Sequence, residues 1–224
     1  MTEVAQSTRD EPRVILVDDH DLFRTGLRNL LEEEGGVQIL GEATNGMEAV
    51  QLVRELAPDV VVMDLNMPSM SGVEATRHIT ALSPLTKVIV LTISEDDGDV
   101  LDAIVAGACG YLLKSSSIAE VIAGIHAASV NQSLISPVIA SKVLQRVRAT
   151  TEDAEMAHAI RAELSDRELE VLKLIANGKD NAQIAVELVI SPKTVKNHIS
   201  NILMKLQIQN RIQAAVYAVR SGLA

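Results

Sequence analysis

The sequence predicts an α/β domain built on a doubly wound, five-stranded parallel sheet of order 2-1-3-4-5, followed by an all-α domain of four helices. Three observations lead there. Short apolar runs alternate with helix-period stretches five times before residue 129, which calls for right-handed crossovers and helices on both faces of the sheet. From residue 161 the strand pattern is gone, and only helical spacings and capping signals remain. Charge divides in the same region: residues 1–160 carry 11 Lys and Arg against 24 Asp and Glu, a balance of −13, whereas residues 161–224 carry 9 against 6, a balance of +3. An acidic front with a mildly basic tail is expected where only the tail meets a polyanion, although an excess of three is small.

Residues 1–12 are polar and are expected to be disordered. Arg13-Val14-Ile15-Leu16-Val17 reads as a buried strand ending in Asp18-Asp19-His20-Asp21, and the spacing Phe23, Leu27, Leu30, Leu31 reads as a helix stopped by Gly35-Gly36. A strand over 37–41 follows, and Asn45 with Glu48 three residues on is a capping-box start for a helix through Val50, Val53 and Leu56. The central strand is Val60-Val61-Val62-Met63, framed by Pro58 and Pro68, with Asp64 at its end. Ser71 with Glu74 opens the next helix, a strand covers 87–91 and ends at Thr92, and a helix covers 97–106. Tyr111-Leu112-Leu113 is the fifth strand, ending at Lys114, and Ser117 with Glu120 caps a helix through Val121, Ile122 and Ile125. The first domain is therefore 13–129. Residues 130–160 are weaker in pattern, with a short helix expected after Ser136-Pro137, and read as a linker.

In the second domain, 161–224, Ser165 and Glu168 form a capping box, and Leu164 and Leu169 are placed as a hydrophobic staple. That helix stops at Asn177-Gly178. Asp180 with Gln183 starts a short helix, Val189-Ile190 makes a turn, and Ser191 with Pro192 opens a third helix running to about Leu206. A fourth helix covers 211–221.

Composition excludes several classes. One cysteine, Cys109, rules out a disulfide framework within the chain and a Cys-rich metal site. No apolar run approaches the roughly 20 residues that span a bilayer, and the N-terminus lacks the apolar region of a signal peptide, so a cytoplasmic protein is expected. With no Trp, one Phe and two Tyr, stacking on unpaired bases is disfavoured.

In the flavodoxin-like order 2-1-3-4-5, strands 1, 3, 4 and 5 bring Asp18, Asp19, Asp64, Thr92 and Lys114 to one sheet edge, where ligands collect. Three carboxylates at such range repel one another unless a divalent cation neutralises them. Mg²⁺ fits, because it takes a few carboxylate oxygens and keeps positions open for a phosphate oxygen. Asp64 can then attack phosphorus, with the metal and an ammonium group offsetting charge. Taken singly, each residue is also an ordinary turn former, strand end or solvated lysine.

These residues resemble the receiver domain of two-component response regulators: the acidic pair Asp18-Asp19, Asp64 within Met63-Asp64-Leu65-Asn66-Met67-Pro68, then Thr92, Tyr111 and Lys114. The resemblance implies that Asp64 accepts a phosphoryl group from a sensor histidine kinase. It implies that Asp19, Asp64 and the backbone carbonyl of Asn66 hold Mg²⁺ with Asp18 assisting, that Lys114 pairs with the phosphoryl group, and that Thr92 moves to it while Tyr111 swings inward. Two positions depart from the common pattern: Ser115 stands where many receivers have proline, and Ile93 is bulky where many have a small residue. A regulator that works without phosphorylation stays open on those two grounds.

In the tail, Val195, Ile199, Ile202, Leu203 and Leu206 share one helical face, and Lys193, Lys196, Asn197, Ser200 and Asn201, of residue types suited to binding phosphates and base edges, share the other. The short helix and turn before it make a helix-turn-helix with the third helix as reader, although periodicity alone is equally served by a three-helix packing unit. The run Leu164-Ser165-Asp166-Arg167-Glu168-Leu169-Glu170-Val171-Leu172, then Ile184-Ala185, Ser191-Pro192-Lys193-Thr194-Val195-Lys196-Asn197-His198, Lys205-Leu206 and Asn210-Arg211 resembles the LuxR-type effector domain of the NarL/FixJ subfamily. It implies that Lys196 and Asn197 reach bases and that Thr194 and nearby amides hold phosphates, with His198 either a contact or a packed helix residue. Gln207 stands where the family usually has the glycine that ends the reading helix. The stripe Ile212, Ala215, Val216 and Val219 packs within the chain or, as the resemblance implies, forms part of a dimer surface.

The two resemblances together imply a response regulator of the NarL/FixJ subfamily. Its expected partners are a sensor histidine kinase and a double-stranded DNA operator; it would be a homodimer when active, with RNA polymerase left open as a further partner and no membrane involved. It would phosphorylate itself and slowly lose the group rather than turn over substrate. An aspartyl-nucleophile phosphatase is the competing enzyme class, but such enzymes usually need a second acid two positions on, where this chain has Asn66. A nucleotide or flavin binder lacks its G-x-G-x-x-G turn or P-loop.

Overall fold

The computed structural model describes residues 11–94, 97–130, 132, 163–208, 210–221 and 223. The first ten residues, and nearly all of the stretch read as a linker with its short helix after Ser136-Pro137, lie outside them. Strands β1 (Arg13–Val17), β2 (Gln38–Ala43), β3 (Val60–Met63), β4 (Lys87–Thr92) and β5 (Gly110–Leu113) pair in parallel in the order β2-β1-β3-β4-β5. Between and after them run α1 (Asp21–Glu34), α2 (Gly46–Leu56), α3 (Gly72–Leu82), α4 (Asp97–Val105) and α5 (Ile118–Ser129).

Two-residue periodicity in the strands builds both faces of the core. Val14 and Leu16 of β1, Val60 and Val62 of β3, and Ile89 and Leu91 of β4 pack with Leu27 and Leu31 of α1 and Val121 and Ile125 of α5. The alternate residues Ile15, Val17, Val61, Met63 and Val88 pack on Ala49 and Val53 of α2 and Ala75 and Ile79 of α3. Strands apolar on both faces in this way are buried from both sides, at roughly 1.5–3 kcal/mol per large side chain.

β2 extends two residues past the expected end at Gly41. The β1–β2 register shifts between Val14 and Ile15, so Leu40 is the extra residue and Gly41 lies beside the bulge rather than at the end of the strand. The Asn45 cap on α2 is half reciprocal: Asn45 accepts from the Glu48 N–H, but the Glu48 carboxylate turns back to the Thr44 N–H at 2.8 Å. Ser71 caps α3, and Ser117 with Glu120 forms a full capping box on α5.

The second domain has α6 (Asp166–Ala176), α7 (Asn181–Glu187), α8 (Pro192–Lys205) and α9 (Arg211–Arg220). Capping boxes start α6 at Ser165 and α7 at Asp180, and Ser191 with Pro192 starts α8. The turn between α7 and α8 is made by Val189 at φ 54°, and α8 ends at Gln207 with φ 53°. Gln207 adopts the left-handed conformation that glycine reaches without strain. Arg167 of α6 donates to the Leu188 carbonyl after α7, and Arg211 of α9 donates to the Lys179 carbonyl before it, so both ends of α7 are braced by guanidinium groups. Among the described residues, no helix is long and apolar enough to cross a membrane.

Candidate functional site

Strand ends and the turns after them assemble the acidic site. Asp18 and Asp64 follow β1 and β3 and are 5% and 3% exposed; Asp19 is more open. Helix α3 closes on the Asp64 turn so tightly that a Cβ on Gly72 would stand 1.9 Å from the Asp64 carbonyl oxygen, and the Gly72 N–H donates to Leu65 O at 2.9 Å. Only glycine admits that approach, which fixes where Asp64 points. Asp64 Oδ1 accepts from the Leu65 N–H at 2.8 Å, leaving Oδ2 to Lys114 Nζ at 3.0 Å.

Lys114 also reaches Asp18 Oδ2 at 2.6 Å, and its ammonium lies 4.6 Å from the centroid of the Phe23 ring. Burial alone would lower its pKa, but its hydrogen bonds to Asp18 and Asp64 outweigh burial and hold it above the ordinary value. His20 completes the cluster: its Nδ1 lies 2.8 Å from Asp19 Oδ1 and 3.2 Å from Asp18 Oδ1. Ligand atoms of Asp18, Asp19, His20 and Asp64 all fall within 4.8 Å of one another, a spacing that suits oxygen coordination of a hard divalent cation. Asn66 is exposed on the adjoining turn.

Thr92 is fully buried at the end of β4, where its Oγ1 accepts from the Ser94 N–H at 3.3 Å. Tyr111 is already inside: it is fully buried, and its hydroxyl donates to the Ser94 carbonyl at 3.0 Å. Phe23, His20 and Arg24 also take part at this edge, although the strand-end argument did not single them out. Their signal in the sequence is position, since all three fall within six residues of Asp18.

The proposed DNA-reading residues lie on α8, where Lys193, Lys196, Asn197, Ser200 and Asn201 are exposed and Thr194 and His198 half-buried. Val195 and Ile202 on the opposite face are buried, with Ile199, Leu203 and Leu206 packed partly against the same core. Lys196 and Ser200 nonetheless face the first domain, lining with Lys87, Cys109 and Ala128 a cavity of about 640 Å³ between the two. Helix α9 meets α4 directly. Ile212, Val216 and Val219 are buried, Ala215 is half-buried, and Val216 faces Ile104 and Val105 across a smaller gap. Asn210 Nδ2 donates to the carbonyls of Gly107 and Ala108 at 3.2 and 3.0 Å, and Gln213 Nε2 to that of Ile104 at 3.2 Å. The stripe read as a dimer surface is thus largely occupied by this chain's own α6 and α4.

Glu168 ties α6 to the end of α8. It is 3% exposed, and its Oε2 accepts from the Ser165 N–H and Oγ at 2.8 Å each and from Lys205 Nζ at 2.7 Å. Burial would raise its pKa, but Lys205 and then Ser165 outweigh burial and hold it at about 2. A carboxylate depressed on folding contributes stability above its unfolded value and loses it as pH falls through the folded one. The contribution, about 3 kcal/mol, should be complete above pH 4.5 and disappear towards pH 2. Melting curves of wild type and Glu168→Gln across that window should converge as pH falls; parallel curves would assign the titration elsewhere.

Comparison with known proteins matches both halves. Residues 14–126 match the family model of the response regulator receiver domain, and residues 162–218 that of the bacterial regulatory proteins of the luxR family. The transcriptional regulatory protein LiaR of Bacillus subtilis is 48% identical over 94% of this chain and 98% of its own. The response regulator protein VraR of Staphylococcus aureus is 38% identical over the same shares. Among solved structures, the response regulator ChrA of a heme-sensing two-component system is 33% identical, with a TM-score of 0.52 over 96% of this chain and 99% of that one.

Proposed function

The chain belongs to the two-component response regulators that join a receiver domain to a LuxR-type DNA-binding domain, and from that premise we propose that Asp64 is phosphorylated by a sensor histidine kinase to switch the second domain onto DNA. The juxtaposition of Asp64 with Asp18, Asp19 and Lys114 carries this function. An Asp64 oxygen attacks the phosphorus of the donor, the bond from phosphorus to the donor histidine breaks, and an aspartyl phosphate results. Asp18, Asp19, Asp64 and the backbone carbonyl of Asn66 would hold Mg²⁺. When bound, the ion offsets negative charge on the transferring group. Lys114 exchanges its pairing with the Asp64 carboxylate for one with the phosphoryl oxygens. Thr92 turns its hydroxyl from the Ser94 N–H to the same group.

That movement reaches the DNA-binding domain through packing. Ser94 accepts the Tyr111 hydroxyl, and Tyr111 shares one apolar cluster with Val100, Ala103 and Ile104 of α4 and Val216 and Val219 of α9. The reading helix facing the receiver represents the off state, in which the first domain stands across the cavity from Lys196 and Ser200. Phosphorylation favours the separated arrangement, freeing α8 for the major groove and α9 for a second copy on paired half-sites. In this reading the protein modifies itself once per cycle and turns over no substrate.

Intact mass after incubation with a small-molecule phosphodonor tests this directly. One phosphoryl gain that requires Mg²⁺ is expected; no gain on folded protein would overturn phosphorylation as the switch. On the DNA side, Lys196→Ala should weaken operator binding and reduce the slope of log K against log salt by about 1. Equal affinity and slope would take Lys196 out of the interface.

A further inference from the structure

The main chain of Asp18 is gripped from both sides. Its N–H donates to the Ala43 carbonyl of β2 at 3.1 Å, and its carbonyl accepts from Arg24 Nη1 at 2.6 Å. Arg24, in the first turns of α1, is 8% exposed. The same guanidinium donates through Nε to Glu42 Oε2 of β2 at 2.9 Å and through Nη2 to Asp21 Oδ1 at 2.6 Å. Glu42 is held in turn by Arg28 Nη1 at 2.6 Å. One rigid planar fork therefore addresses the end of β1, the start of α1 and β2 at once, which an ammonium on a flexible stem cannot do.

Two further main-chain bonds hold the turn after β1: the Asp64 N–H donates to the Val17 carbonyl at 2.9 Å and the Arg24 N–H to the His20 carbonyl at 3.0 Å. Asp18 Oδ1 accepts from the His20 N–H at 2.9 Å, and among the described residues the Asp18 and Asp19 carboxylates otherwise meet the side chains of His20 and Lys114. With the Val17 carbonyl already tied to Asp64, the direction in which the Asp18 and Asp19 side chains leave the end of the strand depends on where the Asp18 carbonyl is fixed. Resting on the reading that these carboxylates hold Mg²⁺, we propose that Arg24 is a positioning residue for the metal site: by holding the Asp18 carbonyl it sets the reach of the acidic pair towards Asp64.

Charge and position make opposite predictions for this residue. A buried cation close to the site opposes Mg²⁺, so loss of its charge alone would tighten binding. Loss of its positioning would weaken binding, and partners that orient metal ligands are typically worth 10- to 100-fold in affinity. Titration of the full chain with Mg²⁺ alone, followed by calorimetry or amide chemical shifts, should give dissociation constants roughly 10- to 100-fold higher for both Arg24→Gln and Arg24→Lys.

Unchanged binding in the folded variants, or tighter binding in Arg24→Gln with wild-type binding in Arg24→Lys, would overturn the positioning role. Glu42→Asp, which keeps the charge and draws the anchor of the guanidinium back by one methylene, covers the case in which the Arg24 variants fail to fold. It should weaken Mg²⁺ binding in the same direction, and an unchanged constant would overturn the proposal. Absence of Mg²⁺ binding by the wild type would instead overturn the metal-site reading, and this inference with it.

Discussion

Asp64→Asn is expected to gain no phosphoryl group in the presence of Mg²⁺ and a phosphodonor, and its DNA affinity should ignore the phosphodonor altogether. An amide is not a nucleophile towards phosphorus, and the site loses one of its three carboxylates. The fold should survive, because the asparagine oxygen can keep the bond from the Leu65 N–H now made by Oδ1 at 2.8 Å. Its amide nitrogen would face Lys114, donor against donor, but Lys114 retains Asp18 at 2.6 Å. Intact mass and DNA titration, each with and without phosphodonor, read the two consequences separately. A variant that still gained one phosphoryl group would place the acceptor elsewhere. Wild type and variant binding DNA alike under all conditions would establish regulation without phosphorylation, the alternative that Ile93 and Ser115 hold open. Ile93 follows Thr92 and is 74% exposed.

Local chemistry made most of the fold legible. Apolar runs such as Val60-Val61-Val62-Met63 are too short and too uniform for an amphipathic helix, and Ser71, Ser117, Ser165, Asp180 and Ser191 each mark a helix start because a side-chain oxygen there accepts an orphan N–H. Gly41 misled because glycine signals both an end and a bulge, and only the pairing with β1 distinguishes them. The acidic edge was legible because strand order converts positions distant in sequence into neighbours. Arg24 and Gly72 were not singled out, since their roles lie in a carbonyl contacted and a clearance kept, neither of which leaves a periodic trace. The covering of α9 by α4 was equally hidden, because an apolar stripe reads the same whether it meets its own chain or another.

Asn210→Asp should release that covering without phosphorylation. Asn210 is 7% exposed and uses both ends of its amide: Oδ1 caps α9 by accepting from the N–H groups of Ile212 and Gln213 at 3.0 and 2.9 Å, while Nδ2 donates to the two carbonyls of the turn before β5. Aspartate keeps the cap and adds a favourable charge at the helix start, so the DNA-binding domain should fold as before. It also sets a carboxylate oxygen against two carbonyl oxygens in a buried contact, costing about 3 kcal/mol. That cost falls on the closed arrangement alone, because on opening the carboxylate meets water. The unphosphorylated variant should bind operator DNA up to about 100-fold more tightly and show a larger hydrodynamic radius than the wild type. An equally compact variant with wild-type affinity would show that Asn210 does not hold the domains together. The double variant Asp64→Asn with Asn210→Asp then orders the two steps: if phosphorylation acts by opening this contact, the pair should bind DNA as tightly as Asn210→Asp alone, although it has no site left to phosphorylate.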